Sequence, residues 1–126
     1  MILVAFDYGR KKVGMAVADG PMARPVKVIR GRNFQEILDK SVAEIEFHEA
    51  QKVIIGLSEG QLSFEQKNFA SEIAKRTSLP VELQDETLTT YDAKRAAIEA
   101  GIGRLKRKKM EDAYSAALIL QSYLDG

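Results

Sequence analysis

Residues 1–19 read MILVAFDYGRKKVGMAVAD, which is two apolar runs joined by a short basic turn. The first run, 2–6, is continuous, as is typical of a strand buried on both faces of a sheet. The second, 13–19, predicts another strand, and the Asp19-Gly20 pair that follows is a strong turn signal. A third strand over 25–29 would complete an antiparallel meander of three strands.

The rest of the chain predicts alternating helices and strands. Asn33 with Glu36, and Ser63 with Gln66, resemble capping boxes at the starts of two helices. Further elements are strands over 52–57 and 81–86, a helix over 91–100, a basic loop over 104–109 and a last helix from about 109 to 124. Since each late strand follows a helix, both should join the first strand in parallel. We therefore predict one α/β domain over residues 1–126, with a mixed five-stranded sheet and helices on both faces.

Composition excludes several classes of site. The 126 residues include no Cys, so a disulfide, a zinc-thiolate site or a thiol nucleophile is impossible. The net charge of +1 does not by itself indicate a nucleic-acid partner. The N-terminus is apolar first and basic afterwards, the reverse of a signal peptide, and no apolar run approaches the roughly 20 residues of a membrane span. A cytoplasmic location is expected.

Acidic residues stand at the edges of three separated apolar segments. Asp7 ends the first strand, Asp85 and Glu86 end the last strand, and Asp112 opens the last helix. Ligand sites form beyond the carboxyl ends of parallel strands, so these acids are expected to converge there. Converged carboxylates suit a hard cation such as Mg²⁺ or Mn²⁺. Asp85 and Glu86 point to opposite faces of a strand, and spacing alone does not choose between them.

Two basic clusters flank these acids. One is Arg10, Lys11 and Lys12, and the other is Arg104, Lys106, Arg107, Lys108 and Lys109, directly before Asp112. Such clusters are most often solvated surface, but beside the carboxylates they could hold a phosphate backbone. Gly9 and Gly14 are candidates for a turn or a close backbone approach.

Four blocks in order, AFDYGRKKVGMAVAD, VIIGL, PVELQDETLTTYDA and EDAYSAALILQSYLD, resemble the YqgF/RuvX family of Holliday-junction-resolvase-like proteins. That resemblance implies a ribonuclease H fold and a nuclease acting in pre-16S rRNA 5′-end processing or on Holliday junctions. It also implies that Asp7, Glu86 and Asp112 are the catalytic acids, which would bind two Mg²⁺ or Mn²⁺ ions. The implied partners are pre-rRNA or branched DNA and a ribosomal subunit precursor, bound by a monomer or a homodimer.

Two positions depart from the family pattern. Thr87 stands where the family has an arginine, and the loop GLSEGQLS (56–63) is altered and shortened. These departures motivate an alternative, a catalytically weak nucleic-acid-binding module in ribosome assembly. A nucleotide-binding phosphotransferase is a third interpretation, but one domain leaves no second lobe to enclose ATP.

Overall fold

The structure, a computed structural model, describes the backbone of residues 1–85 and 104–126 and the side chains of 1–85 and 109–126. The predicted helix over 91–100 and the last residue of the predicted strand, Glu86, lie outside these ranges. In chain order the elements are β1 (Ile2–Tyr8), β2 (Lys12–Asp19), β3 (Ala23–Arg30), α1 (Phe34–Phe47), β4 (Lys52–Leu57), α2 (Leu62–Thr77), β5 (Val81–Asp85) and α3 (Arg104–Asp125).

The five strands form one mixed sheet in the order β3-β2-β1-β4-β5. β1 pairs with β2 and β2 with β3 in antiparallel fashion, whereas β4 is parallel to β1 and β5 is parallel to β4. This confirms the predicted meander and the predicted parallel crossovers. The carboxyl ends of β1, β4 and β5, at Tyr8, Leu57 and Asp85, therefore lie at one edge of the sheet, which we call the carboxyl edge.

Helices cover both faces of the sheet, as predicted, because β1 sends alternate side chains to two separate cores. Val4 and Phe6 pack with α1 and α2, whereas Leu3 and Ala5 pack with α3. The sheet surface under α3 is built largely from small residues: Ala5, Ala16 and Ala18. A surface of alanines lets a helix approach the strands closely. Within the described residues, no helix is long and apolar enough to cross a membrane.

Of three predicted helix starts, the structure confirms one and shows that two are wrong. Asn33 Oδ1 accepts a hydrogen bond from the Glu36 N–H at 2.9 Å, so the first cap is confirmed. The predicted cap at Ser63 is wrong: α2 begins at Leu62, and the Ser63 hydroxyl donates to the Gly60 carbonyl at 2.7 Å.

The basic segment 104–109 is also not a loop, because α3 begins at Arg104. The segment consists entirely of Arg, Leu and Lys, which are strong helix formers, so the helix extends through it.

At the opposite edge, α3 is held by a polar cluster. The Tyr123 hydroxyl donates to Glu82 Oε2 at 2.6 Å, and Lys52 Nζ contacts both of these side chains. The Lys52 ammonium, followed by the Tyr123 hydroxyl, lowers the pKa of Glu82 below its ordinary value of 4.5. Glu82 is consequently ionised at neutral pH and ties β4, β5 and the end of α3 together.

This cluster predicts a pH-dependent contribution to stability. Because the pKa of Glu82 is lowered by folding, its carboxylate stabilises the native state above the unfolded value of 4.5. That contribution is lost as the pH falls through the lower, folded value. We expect Glu82→Gln to lower the urea midpoint at pH 7 and the gap from wild type to close as the pH falls below 4.5. A gap of constant size over that range would contradict this account.

Candidate active site

Asp7 lies at the carboxyl edge and points to the α3 side of the sheet. The register of β1 and β2 pairs Asp7 with Gly14. Leu3 and Ala5, which alternate with Asp7 along β1, belong to the core beneath α3. Strand alternation therefore directs the Asp7 carboxylate toward α3, where the side chain is half-buried.

Gly14 brings Asp112 to the same place. A Cβ atom on Gly14 would lie 1.8 Å from the Asp112 carbonyl oxygen and 2.1 Å from its carbonyl carbon. The α3 backbone thus rests directly on β2 at the residue paired with Asp7. Gly14 is therefore a site of close backbone approach, one of the two roles that the sequence suggested for it. Two of the predicted acids, Asp7 and Asp112, are brought together by this contact.

Lys12 completes the arrangement in a way that the sequence did not reveal. It precedes Gly14 by two residues in β2 and so faces α3 as well. Its Nζ atom lies 2.9 Å from Asp112 Oδ2, and the Asp112 side chain is 27% exposed. Lys12 was predicted to contact nucleic acid, and it does lie at the carboxyl edge, but its neighbour there is a carboxylate. The Asp112 oxygens therefore already accept a cation at this position.

Asp85 is separated from this pair. The Tyr123 hydroxyl bonds Glu82, and Gln84 Nε2 donates to the Ser122 hydroxyl at 3.3 Å, so the even-numbered residues of β5 face α3. Asp85 pairs with Leu57 and projects to the other face of the sheet. Glu86, the predicted ligand, lies outside the described residues. In the part of the chain that the structure describes, no three His, Cys, Asp or Glu residues form a group able to hold a metal ion.

The basic residues extend the carboxyl edge in two directions. Arg10 and Lys11 are exposed in the turn after β1, and Arg10 Nε lies 2.8 Å from Glu65 Oε2. Along α3, Tyr123 contacts Lys52 near the opposite edge, so the helix residues before Asp112 continue past the carboxyl edge. Lys109 is exposed there. The side chains of Arg104, Lys106, Arg107 and Lys108 lie outside the described set.

Gln66 holds the loop between β4 and α2 in place, a role that was not predicted from its position in the sequence. This side chain is fully buried. Its Oε1 accepts from the Ser58 N–H at 2.7 Å, and its Nε2 donates to Ser58 Oγ at 2.8 Å and to the Tyr8 carbonyl at a longer 3.5 Å. Gln66 therefore joins α2 to the carboxyl ends of β1 and β4. A polar residue among the apolar positions of α2 was the sequence signal for this role. Gln66 also has the spacing of a capping box with Ser63, and it was interpreted in that way.

Comparisons with known proteins agree with this architecture. The family profile described as RuvX, Holliday junction resolvase, matches residues 1–126. A relative from Oceanobacillus iheyensis, named "Putative pre-16S rRNA nuclease", is 39% identical, and the match covers 99% of this chain and 98% of the relative. A relative of the same name from Anaeromyxobacter sp. is 36% identical, with 100% and 98% covered.

Solved structures with this fold include two resolvases bound to Holliday junctions. Fowlpox virus resolvase in complex with junction DNA superposes with a TM-score of 0.67 at 12% identity, covering 99% of this chain and 97% of that one. Thermus thermophilus RuvC with its junction substrate gives 0.60 at 16% identity, covering 99% and 95%. These likenesses confirm the predicted ribonuclease H-like fold.

The contact at Gly14 yields a prediction on stability. Gly14→Ala places a methyl group inside the van der Waals radius of the Asp112 backbone, which cannot rotate away as a side chain could. We expect α3 to be displaced and the free energy of unfolding to fall by about 3 kcal/mol, measured by urea denaturation. Gly60→Ala is the control, because a Cβ atom there meets nothing within 4 Å and only its left-handed backbone, φ 85°, opposes the change. Equal stability of wild type and Gly14→Ala would contradict the close contact.

Proposed function

The chain belongs to the RuvX family of Holliday junction resolvases, and from that premise we propose that it is a divalent-metal-dependent endonuclease of structured nucleic acid. The observation that carries the proposal is the meeting of Asp7 and Asp112 beside Gly14 at the carboxyl edge. The substrates to be tested follow from the comparisons. The relatives' name points to precursor 16S rRNA, and the family's description points to the four-way DNA junction.

The described residues fit a hard divalent cation. Asp7 and Asp112 offer carboxylate oxygens, which Mg²⁺ and Mn²⁺ prefer. The Lys12 ammonium at 2.9 Å from Asp112 Oδ2 supports attraction of positive charge to this position. We propose Glu86 as the third ligand, because Glu82 and Gln84 contact α3 and alternation along β5 favours the next even-numbered residue.

The chemistry proposed is hydrolysis of a phosphodiester. One or two bound Mg²⁺ or Mn²⁺ ions would activate water and stabilise the leaving oxygen. Asp7 would bind metal from the end of the buried strand β1, and Asp112 would bind metal from the first half of α3. Lys12 would balance the negative charge of Asp112 and lies where an incoming phosphate would approach. Lys11, Lys109 and the remaining cations of 104–109 would position the backbone.

We also propose that the whole chain, 1–126, acts as a single nuclease domain in the cytoplasm, on a ribosomal subunit precursor or on branched DNA. A monomer would suffice for one cut, whereas paired cuts across a junction would need a homodimer. Light scattering of the protein with and without a four-way junction separates these two states.

The first test is the carboxylate set. Asp7→Asn, Asp112→Asn and Glu86→Gln are each expected to lower the cleavage rate of precursor 16S rRNA or of a four-way junction by at least roughly 100-fold in Mg²⁺ or Mn²⁺. Asp85→Asn is the matched control, because Asp85 is adjacent in sequence and projects to the other face of the sheet. Its rate should stay close to wild type. Equal rates for wild type and Asp7→Asn would remove Asp7 from the mechanism.

The second test addresses backbone binding. Lys11→Gln and Lys109→Gln remove exposed cations at the carboxyl edge, and each should reduce the dependence of log K on log salt by about one. Lys75→Gln is the control, since Lys75 is an exposed cation in the last turn of α2, away from that edge. Binding measured by fluorescence anisotropy across salt concentrations would show this. Tight binding with no cleavage in either metal would instead favour the binding-module alternative.

A further inference from the structure

A solvent-exposed phenylalanine lies at the carboxyl edge without a role in the core. Phe64 is 73% exposed in the first turn of α2. A short loop, 58–61, joins the end of β4 at Leu57 to this turn, so the turn lies at the same edge as Asp7. At this exposure the ring contributes little hydrophobic stabilisation to the fold. Phe64 is thus a large aromatic side chain held in water at the same edge of the sheet as the candidate site, and its neighbours decide whether it can bind a ligand.

The first turn of α2 is anchored to the end of β1. Glu65 pairs with Arg10 at 2.8 Å, and Gln66 bonds Ser58 and the Tyr8 carbonyl. One turn further on, the Phe69 ring stacks on the Tyr8 ring with centroids 4.7 Å apart. Phe64 is therefore an exposed ring on a fixed backbone. Such a ring loses little conformational entropy when a flat ligand stacks on it.

The neighbours of Phe64 indicate what kind of flat ligand this is. Lys67 and Asn68, three and four residues further along α2, are exposed beside it on the helix surface. Lys11 is exposed in the turn between β1 and β2. Positive charge and hydrogen-bond donors around an aromatic face are the components with which proteins hold single-stranded nucleic acid.

Asp7 and Phe64 lie on opposite sides of the end of β1. Asp7 faces α3, whereas α2 packs on the other face of the sheet. A nucleic-acid strand that contacts both must cross the turn that carries Arg10 and Lys11. Its phosphates would then pass the basic turn, and a base beyond that turn would reach α2.

We propose that Phe64 stacks on an unpaired or unstacked base of the substrate, on the α2 side of the carboxyl edge. The ligand is thus a nucleobase, in RNA or in DNA. The proposal rests on the proposed function only for the nature of that ligand, because stacking is a binding event and needs no cleavage.

A single-tryptophan reporter tests the contact directly. The chain has no Trp, so Phe64→Trp creates its only indole, and Phe47→Trp provides the matched control. Phe47 is 79% exposed but lies at the end of α1, before β4 begins, at the opposite edge of the sheet. Titration with a single-stranded RNA oligonucleotide and with a four-way DNA junction should quench emission from position 64 and leave position 47 unchanged. The probe that quenches identifies the source of the base.

Affinity provides a second readout. Phe64→Ala should weaken binding of the quenching probe by roughly 5-fold to 150-fold, as expected for loss of one stacked base. Phe64→Tyr, which keeps the ring, should bind within about twofold of wild type, and so should Phe47→Ala. Circular dichroism and urea unfolding of each variant show whether the fold is retained. Weak binding by Phe64→Ala together with near-wild-type binding by Phe64→Tyr would show that the ring acts by stacking on a base and not by packing within the fold.

The outcomes separate this proposal from the proposed function. Unchanged emission at position 64 while anisotropy shows saturation would overturn the stacking role and assign Phe64 to another partner. Equal affinity of Phe64→Ala and wild type, or equal loss in Phe64→Tyr, would overturn it too, as would wild-type protein that binds neither probe. Quenching without any cleavage would leave the stacking role standing and overturn only the nuclease assignment.

Discussion

The contact between the α3 backbone and Gly14 is the constraint on which the rest of this structure depends. Because β2 has no side chain at that position, the helix lies directly on the sheet at the residue paired with Asp7. The contact therefore determines both the packing of the second core and the position of Asp112. At the other end of the same helix, Tyr123 contacts Glu82 of β5 and Lys52 of β4. The placement of α3 on the sheet consequently determines both how the second core packs and where Asp112 lies.

The sequence was sufficient for the fold because its signals were local and consistent. The apolar run over 2–6 and the strand over 52–57 are recognisable without tertiary information, and the order of helices and strands leaves parallel crossovers as the simple solution. The positions of Asp7 and Asp112 at one edge of the sheet were predictable for the same reason, since each stands at an edge of an apolar segment. The choice between Asp85 and Glu86 was not settled by spacing, and the face on which Asp85 lies became visible only from the partners of its neighbours.

Errors and omissions arose where tertiary contacts replace local patterns. Ser63 with Gln66 has the spacing of a capping box, but Gln66 is drawn into the core, where it bonds Ser58 and the end of β1. The basic segment 104–109 was predicted to be a loop, yet it belongs to a helix that is fixed further along its length. The pairing of Lys12 with Asp112 joins residues separated by a hundred positions, and no periodicity in the sequence reports it.

The carboxyl edge emerges as a surface with two sides. On the α3 side it carries the acids and Lys12, and on the α2 side it carries an anchored turn with an exposed ring. The central proposal is that Asp7 and Asp112 both bind a divalent metal ion, and anomalous diffraction from crystals soaked in Mn²⁺ tests it most directly. We predict an anomalous peak within about 2.0–2.3 Å of a carboxylate oxygen of each residue, absent in Asp7→Asn. A fully occupied Mn²⁺ site elsewhere, with no peak between these two carboxylates, would contradict the account.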